Sequence, residues 1–79
     1  MLILAINDGG NEAAIEEPTK GQLRKILATG PSRARGSAMS LKDGHEVLGT
    51  WTANHARDGA RWEPWGSRTR ALHRALLDL

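Results

Sequence analysis

The side chains in this sequence that could do chemistry are three histidines, nine carboxylates and the hydroxyls of Ser and Thr. Imidazole titrates near neutrality and ligates metals, so His45, His55 and His73 are the first candidates for an acid/base set or a metal centre. Their spacing supports neither. His45 follows a hairpin turn, His55 sits in a loop and His73 is expected on the polar side of the last helix, so exposed histidine is the reading adopted. The helical two-histidine zinc motif is missing, and no serine sits in a nucleophile elbow. Glu16, Glu17, Asp58 and Glu63 fall in turns and at strand edges, with no partner to tune them for proton transfer. Gly9-Gly10, the only adjacent glycine pair, leads into a strand, whereas a phosphate cradle leads into a helix N-terminus. Cysteine is absent, which removes disulfides, thiolate metal sites and a cysteine nucleophile. No catalytic residue, metal or cofactor is assigned, and the chain is expected not to be an enzyme.

Aromatic and basic residues carry the binding chemistry. Trp51, Trp62 and Trp65 are the only aromatics. Trp62-Glu63-Pro64-Trp65 offers a contact anchor, because Trp is enriched at binding hot spots and Pro reduces the entropy lost on ordering. A small core without Phe also needs volume; Trp51 reads as core, and for Trp62 and Trp65 both roles stay open. Net charge is only +2, yet residues 1–17 hold four acids and no base, and residues 20–35 hold five bases and no acid. Ser32 to Gly36 reads as an exposed basic loop with Arg33 and Arg35. Together with Arg61 and Arg68, these arginines suit directional bonds to partner carboxylates. The expected partner-binding set is therefore Arg33, Arg35, Arg61, Trp62, Trp65 and Arg68. Used on phosphates, the same bases would make a nucleic-acid-binding accessory protein, although no helix-turn-helix or ribonucleoprotein signature is present.

The elements that position these groups can be read in order. Leu2 to Ile6 is apolar at odd and even positions alike and reads as a strand inside a sheet, buried on both faces. Asp8-Gly9-Gly10-Asn11 turns it into a return strand from Glu12 to Glu16, with its acids toward solvent. Thr19 and Gln22 have the spacing of a capping box, with Pro18 and Leu23 as a staple, and Leu23, Ile26 and Leu27 form one apolar stripe. Gly30-Pro31 ends that helix. Strands follow at Ser37 to Leu41 and Glu46 to Ala53 around Asp43-Gly44. A regular two-residue loop there would set Met39, Leu41 and Leu48 on one face and Ala38, Val47 and Trp51 on the other. After Asp58-Gly59, Ala60 to Trp65 forms a last strand that Pro64 confines to a sheet edge. Ser67 or Thr69 then caps a helix with Ala71, Leu72, Ala75, Leu76 and Leu79 on its apolar side.

The order strand, strand, helix, three strands, helix predicts an α+β fold: a small, mainly antiparallel sheet of about five strands with both helices on one face. Seventy-nine residues make one domain. The opening apolar run is too short for a signal peptide, and no other apolar stretch approaches the roughly 20 residues that cross a bilayer, so a cytoplasmic monomer or homodimer is expected.

The hairpin Leu2 to Ile15, the capped helix Thr19 to Ala28 and the edge strand Arg61 to Trp65, in a chain of this length, resemble the small α+β inhibitors of phages and mobile elements. Anti-CRISPR proteins are one such group and immunity proteins of polymorphic toxins another. The resemblance implies a non-enzymatic inhibitor that blocks a functional surface of a larger bacterial or phage protein complex, with a CRISPR effector subunit as target or, for an immunity protein, a toxin. It transfers no site residues. Several anti-CRISPR proteins imitate DNA with a strongly acidic surface; this chain departs from that pattern, and occupation of a protein surface is the mode expected of it.

Overall fold

Strand alternation sorts the apolar residues onto one side of a sheet, and that side is the one the helices cover. The computed structural model describes residues 1–8, 10–30, 37–56 and 59–78. Its elements are β1 (Leu2–Asp8), β2 (Asn11–Glu16), α1 (Lys20–Thr29), β3 (Ala38–Asp43), β4 (Glu46–Ala56), β5 (Gly59–Pro64) and α2 (Gly66–Leu77). The strands form one antiparallel sheet in the order β2-β1-β3-β4-β5. The α+β class, the internal position of β1 and the edge position of β5 agree with the sequence.

Leu4 pairs with Leu41 and Ile15, Met39 with Trp51, and Ala53 with Trp62, so these residues share one face. Leu23 and Leu27 of α1 and Leu76 of α2 complete a single buried cluster on it. The two helices touch each other, and α2 lies along β4 and β5. On the opposite face no helix packs. Ile3 and Ala5 of β1 point there and stay only half-buried, so β1 is buried on one face and not on both.

The placement of Trp51 differs from a regular hairpin. Lys42 pairs with Val47, but Leu41 pairs with Gly49, so β4 carries one extra residue around Leu48. Such a bulge reverses the facing of everything beyond it. It brings Trp51 to the side of Met39 and Leu41, where its indole is 1 % exposed. The ring folds back over Gly49: a Cβ added there would lie 2.9 Å from Trp51 Cη2 and 3.3 Å from Leu72 Cδ2. Trp51 Nε1 donates to His73 Nδ1 at 3.1 Å. His73 therefore faces the core, contrary to its expected polar side.

The helix ends follow two different rules. Thr19 and Gln22 form the full capping box, with Gln22 N–H donating to Thr19 Oγ1 at 3.1 Å and Thr19 N–H to Gln22 Oε1 at 2.8 Å. Neither expected cap forms at α2; Trp65 occupies the N-cap position and makes no side-chain cap bond. Thr69 instead accepts the Thr50 amide of β4 at 3.1 Å. The cause lies in the sheet, because the chain leaves β5 after Pro64 and deprives that amide of a strand partner. Thr69, Leu72, His73 and Leu76 thus form the inward side of α2, while Ala71 and Ala75 are exposed.

Gly49→Ala is expected to destabilise the domain by about 1–3 kcal/mol, since the rigid indole is held at Nε1 and cannot slide aside. His73→Leu should cost about 1–3 kcal/mol by leaving a buried indole N–H unpaired, with His73→Gln recovering part of it. Urea unfolding followed by far-UV circular dichroism measures both.

Candidate functional site

The middle of the helix-free face is built from small side chains. Ala5, Ala14, Ala38, Ser40, Thr50 and Thr52 come from four neighbouring strands and form a low floor, with the larger Ile3 and Val47 toward the β3–β4 turn. Over β2, β1 and β3 it opens into a depression of ≈ 550 Å³, with Glu12 and Lys42 at its rim. At the β5 end the floor meets Trp65.

Trp65 is 64 % exposed, yet it is held at two points. Its main-chain N–H donates to Thr50 O at 2.9 Å, which extends the β4–β5 ladder by one residue. Its Nε1 donates to Thr52 Oγ1 at 2.8 Å, which lays the indole against the free face of β4. Gly66, at φ 81°, then turns the chain into α2 through a conformation that other L-residues adopt at a cost. Next to Trp65 on the same face, Glu63 Oε1 accepts from Asn54 Nδ2 at 2.9 Å and lies 3.5 Å from Arg61 Nε.

The expected binding set is therefore divided. Arg61 and Trp65 lie on the free face, four residues and about 13 Å apart along an extended chain. Trp62, expected as a contact residue, is 5 % exposed and belongs to the core; three residues from Trp65, it points to the opposite side of the strand. Its buried Nε1 has no hydrogen-bond partner. Arg68 stands on α2 and pairs with Glu46 Oε1 at 2.6 Å, away from the free face. Arg33 and Arg35, with their basic loop, lie outside the described residues. Thr52, Ser40 and the alanine floor were not singled out by sequence reasoning, although their odd separation from the buried residues of each strand carries the signal.

Among the described residues, no group of three or more His, Asp or Glu side chains could hold a metal ion. No helix among them is long and apolar enough to cross a membrane. No protein-family model, curated protein or solved structure matches the chain.

Thr52→Val is expected to release the Trp65 ring while leaving the fold intact, because an exposed hydrogen bond contributes on the order of 1 kcal/mol or less. The Trp65 indole N–H resonance should lose protection from solvent exchange, with the Trp51 resonance unchanged.

Proposed function

We propose that this chain is a binding protein whose helix-free sheet face covers a functional surface of a larger bacterial or phage protein complex and so inhibits it. The observation that carries the reading is Trp65, an exposed indole already fixed by Thr50 and Thr52. An aromatic side chain ordered before contact loses little entropy on contact, and Trp dominates binding hot spots. The small floor beside it accepts protruding side chains of a partner, and Arg61, exposed beside Glu63, is free to exchange that weak ion pair for a partner carboxylate. A CRISPR effector subunit is the target that the resemblance in length and element order suggests, and a toxin is the second.

The test is capture of a defined complex from host lysate, followed by titration with the purified partner. Trp65→Ala should weaken binding by roughly 30-fold or more, the size of a hot-spot loss of about 2 kcal/mol. Ser40→Arg, which raises a long side chain from the floor, should do the same, with both variants keeping the unfolding midpoint of the parent. Equal affinity for the parent and both variants overturns the assignment of this face.

A further inference from the structure

The outward side of the helical layer carries a different chemistry from the sheet face. Neither α1 nor α2 contains an acid. Lys20, Arg24 and Lys25 of α1 and Arg70 and Arg74 of α2 are all exposed. The helices touch each other, which places both groups on one helical layer. The ion pairs among the described residues use Arg61, Arg68 and the N-terminal amine, and none of these five cations. Of the described acids, Glu12 and Glu16 lie on the far edge strand β2, Asp43 at the β3–β4 turn and Glu63 on the free sheet face, while Glu17 precedes α1, Glu46 pairs with Arg68, and Asp78 sits at the C-terminal cap of α2.

This arrangement opposes helix stability. Lys20 and Arg24, and again Arg70 and Arg74, are like charges one turn apart, which repel by a few tenths of a kcal/mol per pair. Lys20 also sits at the first residue of α1, where the helix dipole favours an anion, and neither helix has an acid in its first turn. A polyanion laid across both helices would convert each of these repulsions into attraction.

The residues between the cations indicate which polyanion. Gly21, Gln22, Thr29, Ser67, Ala71 and Ala75 are small or polar, and all are exposed. Among the described residues the exposed large hydrophobics are Met1, Val47, Trp65 and Leu77, of which only Leu77, 37 % exposed at the end of α2, belongs to the helical layer. A helix that docks on a lipid surface carries an apolar side to insert, and here the apolar sides of both helices are used against the sheet. Low, polar relief between exposed cations suits the phosphate backbone of a duplex, which presents about one negative charge per 1.7 Å of axis.

We infer that the paired helices α1 and α2 form a second binding surface, which takes a nucleic-acid duplex through its phosphate backbone without reading sequence. Lys20, Arg24, Lys25, Arg70 and Arg74 neutralise phosphates, and the surface is separate from the face that bears Trp65.

Fluorescence anisotropy with labelled random-sequence DNA and RNA duplexes tests this. Five phosphate contacts give a slope of log K against log salt of about −4.5, or roughly 500-fold weaker binding at 200 mM than at 50 mM salt. The double variant Arg24→Gln/Arg74→Gln should make the slope shallower by about 1.8, and Lys25→Gln/Arg70→Gln should do likewise. Trp65→Ala should leave duplex binding unchanged, which separates this surface from the protein-binding one. The inference is overturned by absence of binding at the lower salt, by slopes that neither double variant alters, or by loss of binding in Trp65→Ala alone. It is overturned equally if phosphatidylserine vesicles or polyglutamate bind as tightly as the duplex at the same salt.

Discussion

Trp51 reaches the centre of the core only because a bulge turns over that stretch of β4 and the residue two positions earlier is glycine. With a regular hairpin the indole would project from the free face, and with a side chain at position 49 it would have nowhere to lie. Once seated, it sets the height and rotation of α2, since Leu72 rests beside Gly49 and His73 takes the indole N–H. That rotation brings Thr69 to the Thr50 amide. The chain must then leave β5 directly after Pro64, which places Trp65 at the corner with its ring on the far side of the sheet.

The parts of this arrangement legible in the sequence are those fixed by local rules. The capping box of α1, the count and order of strands and the edge position of β5 each depend on a few adjacent residues, and each stands in the structure. The facing of Trp51 was not legible, because one inserted residue shifts the period-two pattern without changing composition. His73 and Thr69 were misplaced for a related reason. Helix periodicity ranks residues by hydrophobicity, and the inward side of α2 was selected by two hydrogen bonds, from Trp51 and from Thr50. The division between Trp62 and Trp65 was available in principle, since an odd separation along a strand forces opposite faces.

Charge segregation along the chain becomes segregation in space through the topology. Glu12 and Glu16 lie on β2, at the edge opposite β5, while Lys20, Arg24, Lys25, Arg68, Arg70 and Arg74 lie on the helices. Net charge of +2 hides this because the two groups nearly cancel. The molecule therefore presents two surfaces of different character: a floor of Ala, Ser and Thr ending in an indole, and a helical layer rich in cations, most of them without an ion pair among the described residues.

Each surface contains a departure from what folding alone favours. Trp at an N-cap leaves the first amides of α2 without the side-chain acceptor that Ser, Thr, Asp or Asn provides, a difference of about 0.5–2 kcal/mol. Cations at the start of α1 and at one-turn spacing on both helices cost tenths of a kcal/mol each. A chain of this size has a small margin of stability, so such losses are a sizeable fraction of it. They do not fall at random. Among the described residues the core contains a single evident compromise, the unpaired Trp62 indole N–H, whereas the exposed departures collect at Trp65 and along the outer side of the helices.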